Sequence, residues 1–401
     1  MKEVVIIDAV RTPFGRYKGA LKNIRPDDLG ANVIKALIKR NPALIPAEIE
    51  EVVFGNANQA GEDNRNVARM SALLSGLPIE VAATTMNRLC GSGLDAVNYA
   101  ARAIMAGEGD IFIAGGTESM TRAPFVMAKP NDDFPRGNME MFDTTIGWRF
   151  TNPSLKGMYG TDSMPETADN VARKYDISRH EQDVFAYESQ QKAAKAIESG
   201  IFQNEIIPVE YRDRKGNLFT INEDEHPRPD TTMEKLEKLS PLFPNGTVTA
   251  GNASGVNDGA AALLLMSAEK AKQLNLKPLA KYIISAVAGV EPSCMGLGPI
   301  ASTRKALKRA NLSIDDLDLI ELNEAFASQS LACIQELGLD KTKVNVNGGA
   351  IAYGHPLGAS GARILTTLIY EMHRREARYG LATMCVGVGQ GISTIVEKGG
   401  F

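Results

Sequence analysis

The chain opens with short apolar runs that alternate with segments of helical spacing. Residues 4–10 form an apolar run that is typical of a strand buried on both faces. Residues 26–40 repeat apolar side chains at the spacing of one helix face. Further strand-like runs cover 52–54, 81–85 and 111–114. This alternation predicts a layered α/β unit at the start of the chain.

The last third of the chain repeats this order of apolar runs and helical segments. The strand-like runs there are 282–290, 318–322, 344–347, 379–386 and 392–397. The helical segments between them are 299–310, 328–337 and 361–374. We interpret the chain as a duplicated α/β unit, since an internal repeat decides the whole fold.

The middle of the chain, residues 122–250, shows no such alternation. Prolines, charged residues and methionines accumulate there, and two strong helical segments are predicted at 165–175 and 180–199. Long insertions of this kind are usually functional lids or binding loops. The predicted division is an N-terminal half of 1–121 plus 251–276, an inserted loop domain of 122–250, and a C-terminal half of 277–401.

Composition narrows the class of protein. The 401 residues are 44% hydrophobic and 23% charged, with a net charge of −4, which favours a sizeable core and disfavours a general nucleic-acid binder. The chain has no apolar run of about 18 residues and no signal-like N-terminus, so we expect no membrane span and a cytoplasmic protein. Four cysteines and four histidines lack the spacing of a disulfide scaffold or a metal site.

The stretch NRLCGSGL around Cys90 lies between a strand-like run and a small-residue helical segment. This order predicts a strand, a tight turn and a helix, with Cys90 at or just before the helix start. Unpaired backbone N–H groups and the helix dipole stabilise a thiolate there, and they lower the thiol pKa from its usual value of about 8.5. A lone cysteine is more often buried and inert, so Cys90 alone leaves both interpretations open.

Three stretches of the C-terminal half carry chemistry that matches Cys90. The glycine-rich NGGAIAYGHPLGASG contains His355, which is either a base close to a ligand or a structural histidine that caps a turn. Cys385 ends a strand, and the glycines from Gly387 onward suit an oxyanion hole or simply a tight hairpin. Asn323 begins NEAF after an apolar strand, either at a site or as a helix cap.

Taken together, the CGSGL, NEAF, GHPLG and CVGVGQG blocks resemble the thiolase family in their order and spacing, over essentially the whole chain. The resemblance is closest to the general 3-ketoacyl-CoA and β-ketoadipyl-CoA thiolases. It implies an α/β fold of two βαβαβαββ halves with stacked five-stranded mixed sheets and an inserted loop domain. It also implies homodimers, often paired into homotetramers, and no permanently bound cofactor, with coenzyme A as co-substrate.

The resemblance implies reversible, CoA-dependent cleavage of a 3-oxoacyl-CoA to acetyl-CoA and a shortened acyl-CoA. Cys90 is implied as the nucleophile, His355 as the base that takes its proton, and Cys385 as a second acid/base group. Asn323 is implied to hold a water that stabilises the enolate oxygen together with His355. The backbone N–H groups of Cys90 and Gly387 are implied to form a second oxyanion hole.

The same resemblance assigns the coenzyme A contacts. It implies that Ser254 lies near the pantetheine and that Arg228 lies near the nucleotide, where a solvated loop position is the alternative. The channel is implied to be lined by Phe243, Ala325 and Phe326.

The acyl chain is open at this point. Ser163 stands where acetoacetyl-specific members have histidine, and Val388 stands where many members have glycine. A dicarboxylic chain needs a cation, for which the candidates are Arg65, Arg88, Arg122 and Arg149. A fatty-acyl chain needs an apolar tunnel, for which the candidates are Met139, Met141 and Met158. Trp148 is predicted to serve packing rather than substrate stacking.

Other classes of protein compete with this interpretation. A biosynthetic acetoacetyl-CoA thiolase would share the catalytic residues. A Cys–His thioesterase would not need Cys385, and a non-catalytic acyl-CoA-binding protein would not need Cys90, His355 and Cys385 together. A ketoacyl-ACP synthase typically sets two histidines, or a histidine and an asparagine, beside its cysteine, so the second cysteine disfavours it.

Overall fold

The computed structural model describes residues 1–213 and 215–399, and within them the chain forms fourteen strands and twelve helices. The strands are β1 (Val4–Arg11), β2 (Gly15–Arg16), β3 (Glu51–Gly55), β4 (Ala82–Met86), β5 (Ile111–Ser119), β6 (Phe125–Met127), β7 (Met141–Asp143), β8 (Val209–Arg212), β9 (Leu218–Ile221), β10 (Asn257–Ser267), β11 (Ala280–Gly289), β12 (Leu319–Leu322), β13 (Tyr379–Val386) and β14 (Gln390–Lys398). The helices are α1 (Pro26–Arg40), α2 (Val67–Leu74), α3 (Ser92–Ala106), α4 (Pro153–Tyr159), α5 (Met164–Lys174), α6 (Arg179–Glu198), α7 (Met233–Glu237), α8 (Ala268–Gln273), α9 (Gly298–Ala310), α10 (Ala327–Leu337), α11 (Ala350–Tyr353) and α12 (Leu357–Arg375).

The sheet has two halves with the same internal order. In the first half the order is β1, β10, β5, β3, β4, and in the second it is β11, β14, β13, β12. Parallel pairs lie at the far end of each half, β3 with β4 and β5, and β12 with β13, while the remaining neighbours are antiparallel. The halves join where β1 pairs with β11. The predicted duplicated α/β fold is confirmed.

One predicted strand is wrong. At 344–347 the backbone makes a single parallel bridge, from Val344 to Ile320. Asn345 has a φ of 43°, in the left-handed region, which ends extended pairing. Its side chain accepts from the N–H of Leu322 at 2.9 Å and donates to the Leu322 carbonyl at 2.8 Å. The asparagine side chain therefore replaces the backbone ladder that a fifth strand would have made.

Three hydrophobic cores give the molecule five layers. Helices α3 and α12 lie between the two sheet halves, because Leu94 and Leu365 share one core with Phe112 of the first half and Met384 of the second. Helices α1 and α2 cover the outer face of the first half. Helices α9 and α10 cover the outer face of the second half. The sheets are thus stacked, with the central helices buried on both sides.

The inserted region contains the two predicted strong helices as α5 and α6, together with two small antiparallel sheets, β6–β7 and β8–β9. Strand β10 then pairs with β1 and β5, so the chain returns to the first half after the insertion. Buried Arg11, at the end of β1, bonds Glu205 and Asp224 at 2.7 Å each and ties the insertion to the sheet. The domain boundaries themselves stay a prediction.

Two general features concern membranes and metals. None of the helices in the described part of the chain combines the length and apolar character needed to cross a bilayer. Within residues 1–213 and 215–399, no three histidine, cysteine or acidic side chains come together as a metal site.

Candidate active site

Cys90 lies on a turn between β4 and α3 that is held by hydrogen bonds. A single 3₁₀ turn, Leu89–Gly91, carries it, and α3 begins at the next residue. The hydroxyl of Ser92 accepts from the N–H of Arg88 at 2.9 Å and donates to the Leu89 carbonyl at 2.6 Å. Leu89 has a φ of 44°, which side-chain-bearing residues rarely adopt. The turn places Cys90 just before the helix, as predicted, and holds it in one conformation.

The electrostatics of Cys90 differ from the prediction of a stabilised thiolate. Burial raises the thiol pKa to about 11, and the backbone N–H groups of Gly387 and of Cys90 itself lower it only in part. Removal from water penalises the charged form more than these dipoles favour it. The resting group is therefore a neutral thiol that faces two backbone donors.

His355 lies between α11 and α12 and is buried. Its backbone N–H donates to the side-chain oxygen of Asn257 at 3.0 Å. Its Nδ1 lies 2.6 Å from the hydroxyl oxygen of Ser360, and that hydroxyl is 2.8 Å from the Pro356 carbonyl. A serine hydroxyl has only one proton to donate, and Ser360 donates it to the Pro356 carbonyl. Ser360 therefore accepts a hydrogen bond from Nδ1–H of His355. The proton-free nitrogen of the ring is then Nε2.

Burial also decides the charge of this imidazole. Burial, together with the positive charge of Arg363, lowers the pKa of His355 to about 3. The Nε2 atom is buried. His355 is therefore a neutral base whose Nε2 lone pair has no hydrogen-bond partner among the described residues.

The loops that carry Cys90 and His355 meet because α3 and α12 touch through glycines. A Cβ on Gly93 would lie 2.5 Å from the carbonyl oxygen of Gly358. A Cβ on Gly361 would lie 2.3 Å from a backbone nitrogen of α3. No side chain fits at such distances, so these glycines allow the two helix starts to pack backbone to backbone.

Asn323 and Cys385 lie at the carboxyl ends of the neighbouring parallel strands β12 and β13. The N–H of Asn323 donates to the Thr383 carbonyl at 3.0 Å, and both polar atoms of its side chain are buried without a partner among the described residues. Burial raises the pKa of Cys385 well above its usual value, and the neighbouring thiol of Cys90 raises it further. Cys385 thus lies close enough to Cys90 for the charge of the Cys90 sulfur to affect its titration.

A cavity of about 220 Å³ opens over Cys90. Its wall includes Gly387 and Val388 on the side of the β13–β14 turn. The opposite wall is the loop 144–149, which includes Trp148 and Arg149. Trp148, predicted to serve packing, is thus part of the cavity wall, and its indole N–H donates to the carbonyl of residue 162 at 3.3 Å. His355, Asn323 and Cys385 are buried and do not line this cavity.

The structure separates the candidates for acyl-chain recognition. Among the four arginines, Arg149 lines the cavity, whereas Arg65 is exposed elsewhere. Arg88 is paired with Asp95, and Arg122 is paired with Glu62. The three methionines proposed for an apolar tunnel are all exposed and do not line the cavity, so that assignment is wrong; they are Met139, Met141 and Met158. They lie in exposed stretches of the inserted region, although other apolar residues of that region, such as Val171 and Val209, are buried.

Three of the residues assigned to coenzyme A lie together. The N–H of Ser254 donates to the Ala325 carbonyl at 2.9 Å, and Ala253 forms a bridge with Phe326. Ala325 and Phe326 pack in one cluster with Cys385. Arg228 is exposed and lies two residues beyond the half-buried His226, whose ring packs against Gly255. Phe243 is half-buried, and the residue before it pairs its backbone with Val248 of the same cluster.

Three residues that support the site were not singled out from the sequence. Glu118 lines the cavity, and its carboxylate accepts from the N–H groups of Ala57 and Asn58 on one side and Gly358 on the other. Its pKa is raised to about 7, because the effect of burial exceeds the opposing effect of these donors. The others are Ser360 and Asn257, described above. A glutamate shortly after the apolar run 111–114 is the one signal in the sequence; Ser360 and Asn257 carry none.

Comparisons with known proteins agree with this geometry. Family models match the thiolase N-terminal domain over residues 4–269 and the thiolase C-terminal domain over 276–398. A β-ketoadipyl-CoA thiolase of Escherichia coli is 59% identical over 401 residues, covering 99% of this chain and 100% of the relative. One from Acinetobacter baylyi is 57% identical with the same coverage.

Solved structures give the same result. The acetyl-CoA acetyltransferase of Bacillus anthracis is 42% identical, with a TM-score of 0.92 and 99% of each chain covered. Human mitochondrial 3-ketoacyl-CoA thiolase is 41% identical, with the same TM-score and coverage. Together with the two halves and the Cys90 site described above, these matches show that the chain belongs to the thiolase family.

Proposed function

We propose that this thiolase-family acyltransferase cleaves 3-oxoadipyl-CoA with coenzyme A to acetyl-CoA and succinyl-CoA, in a reversible reaction. The observation that carries the proposal is the Cys90 thiol, which faces the Gly387 N–H at a cavity and has another cysteine, the buried Cys385, beside it. Relatives that are 56 to 59% identical over their full length are named β-ketoadipyl-CoA thiolases, and this supports the choice of substrate.

In the first half-reaction His355 Nε2 takes the thiol proton while Cys90 Sγ attacks the ketone carbon. A neutral thiol and a neutral imidazole suit this concerted transfer, because neither group bears a charge before the substrate binds. The alkoxide that forms is held by the N–H groups of Cys90 and Gly387. Its collapse breaks the bond between C2 and C3, and the succinyl group remains on Cys90 as a thioester.

The leaving fragment is the enolate of acetyl-CoA. His355, now protonated at Nε2, and a water held by Asn323 stabilise the enolate oxygen. The unpartnered side-chain atoms of Asn323 support this role, because buried polar atoms in native proteins are normally satisfied by a ligand or an ordered water. Cys385 donates a proton to C2, which gives acetyl-CoA. The thiol of a second coenzyme A then attacks the succinyl thioester, and Cys385 accepts its proton. Succinyl-CoA leaves, and the Cys90 thiolate that is released recovers its proton from His355.

For coenzyme A we propose contacts from the cluster beside Cys385. Ser254, Ala325 and Phe326 are within reach of one another there, which supports a pantetheine path that ends at the two cysteines. Phe243 extends this path, and the exposed guanidinium of Arg228 suits a phosphate or nucleotide group at its outer end.

The test is CoA-dependent thiolysis measured by kcat/KM on 3-oxoadipyl-CoA, a medium-chain 3-ketoacyl-CoA and acetoacetyl-CoA. We expect activity on the first, loss of detectable activity in Cys90→Ser, and a fall of about 10²- to 10⁴-fold in Cys385→Ala. Folding of each variant is checked by its thermal unfolding. Hydrolysis of the thioester without added coenzyme A, retained in Cys385→Ala, would favour a Cys–His thioesterase. Absence of cleavage of all three substrates would contradict the proposed function.

We further propose a cytoplasmic homodimer or homotetramer. Strand β4 lies at one end of the sheet order, and its residues are partly exposed, which supports pairing of this edge with a second copy. Phe125 and Met141 of the β6–β7 sheet are each 65% exposed, and such apolar exposure suits a second interface. Light scattering of the purified protein measures the state directly, and a monomer at micromolar concentration would contradict this assembly.

A further inference from the structure

Arg149 lies in the wall of the cavity over Cys90 and has no carboxylate partner among the described residues. Its guanidinium is half-buried, and one nitrogen, Nη2, donates to the carbonyl of Asn58 at 3.3 Å. Guanidinium has five N–H donors, so most of them remain available to a ligand. We propose that Arg149 is the specificity residue that binds the distal carboxylate of a dicarboxylic 3-oxoacyl-CoA, an inference that rests on the proposed function.

Two of the other candidate arginines, Arg88 and Arg122, are already paired with carboxylates. Arg88 donates to Asp95 at 2.8 Å and to Gln390 at 3.0 Å, and it does not line the cavity. Arg122 donates to Glu62 through both Nε and Nη2. Arginine that forms two parallel bonds to one carboxylate has little affinity left for another. Arg149 differs in lining the cavity with its charge uncompensated.

Glu118 is an acidic residue that also lines the cavity, so it is the candidate for an ion pair with Arg149. Its two oxygens accept from four N–H groups, those of Ala57, Asn58, Gly358 and the side chain of Asn56. Those contacts fix the carboxylate in the protein frame and leave it without an ion pair to Arg149. A substrate carboxylate therefore meets a free guanidinium rather than one already neutralised.

The position of Arg149 is fixed by neighbouring loops. Asn58, which accepts from Arg149, also donates through its side-chain nitrogen to the Thr144 carbonyl at 2.7 Å. The Thr144 hydroxyl in turn donates to the Pro124 carbonyl at 2.7 Å. The wall formed by 144–149 is thus tied to the loop after β3, and the guanidinium is held in place before substrate arrives.

The chemistry of the substrate matches this arrangement. In 3-oxoadipyl-CoA two methylene groups separate the ketone carbon, which Cys90 attacks, from the distal carboxylate. A cation for that carboxylate must therefore lie in the same small cavity as the nucleophile, and Arg149 does. The carboxylate stays on the acyl group throughout, first on the substrate and then on succinyl-Cys90, so one guanidinium serves both half-reactions.

The experiment compares 3-oxoadipyl-CoA with 3-oxohexanoyl-CoA, which has the same chain length and ends in a methyl group. In Arg149→Met we expect kcat/KM on 3-oxoadipyl-CoA to fall about 10- to 150-fold, with 3-oxohexanoyl-CoA unchanged or cleaved better. Arg122→Met is the matched control, because it also removes one arginine but should leave the ratio of the two substrates as it is. Arg149→Lys serves if the methionine variant does not fold, and its ratio should fall several-fold.

The outcomes separate this inference from the proposed function. Equal losses on both substrates would mean that Arg149 contacts coenzyme A or the fold, and they would overturn the inference. An unchanged ratio in every folded Arg149 variant would do the same. If the unmodified protein cleaves 3-oxohexanoyl-CoA and 3-oxoadipyl-CoA with equal kcat/KM, the thiolase activity is supported, but recognition of the distal carboxylate is contradicted. If it cleaves neither, the proposed function itself fails.

Discussion

Replacing Ser360 with alanine removes the hydroxyl that accepts from His355 Nδ1–H at 2.6 Å. Without that acceptor, the tautomer with the proton on Nδ1 leaves a buried N–H donor unpaired. The other tautomer carries its proton on Nε2, so that nitrogen can no longer accept the proton of Cys90. An unsatisfied buried donor costs about 1–3 kcal/mol. Since about 1.36 kcal/mol corresponds to a tenfold change in rate, kcat should fall about 5- to 150-fold.

The fall should stay below the loss seen when a catalytic triad loses its aspartate. There the wrong tautomer costs about 10⁴-fold in kcat, because the aspartate also stabilises the imidazolium by its charge. Ser360 is neutral and supplies only the hydrogen bond. A loss far above about 150-fold would therefore point to collapse of the site rather than to a change of tautomer.

The assay is thiolysis at saturating substrate, with Thr366→Val as the control. Thr366 lies on the same helix, is buried, and donates to the carbonyl of Ala362 at 2.9 Å, as Ser360 does to Pro356 at 2.8 Å. Both variants lose a buried hydroxyl, yet Thr366 does not contact His355. If Ser360→Ala keeps kcat within about twofold of the unmodified protein, or if both variants lose activity equally, the tautomer argument is refuted.

Three further predictions concern the charge and strain of the site. Because the pKa of Cys90 is about 11, its alkylation by iodoacetamide, corrected with Cys90→Ser, should accelerate about 100-fold from pH 7 to pH 9; a plateau near pH 7 would show a stabilised thiolate instead. Glu118→Gln turns an amide donor toward N–H groups, so urea unfolding should report a loss of about 1–3 kcal/mol, and an unchanged midpoint would count against this role. Val388 has a φ of 60°, so Val388→Gly should raise the free energy of unfolding by about 1 kcal/mol, and a lower urea midpoint would contradict the strain.

The sequence was sufficient for the fold because periodicity and register are local properties. The buried strands β1, β10 and β13 consist of apolar runs, and the helices α1 and α12 repeat apolar residues at helical spacing. The failure at 344–347 has a local cause as well. The alternation of valine and asparagine at 344–347 fits a strand. However, the side chain of Asn345, rather than the backbone of a further strand, bonds the backbone of Leu322.

The charge of Cys90 could not be predicted from the sequence, since it depends on how much of the protein surrounds the sulfur. A helix start favours a thiolate, and that local rule holds for an exposed cysteine. Here burial outweighs the dipole. The tautomer of His355 likewise depends on a hydroxyl five residues away, whose effect appears only once the helix start folds it back onto the ring. The free state of Arg149 also follows from tertiary contacts alone.

Duplication itself explains why a nucleophile and a base so far apart in sequence meet. Cys90 precedes α3, which leads into β5, and His355 precedes α12, which leads into β13; β5 and β13 are each third in the strand order of their half. The two helices are the layer that the stacked sheets share. The backbone arrangement of the duplicated fold therefore brings equivalent loops of the two halves together, whatever side chains those loops carry. One copy supplies the cysteine and the other the histidine, so neither half alone would contain the proposed pair.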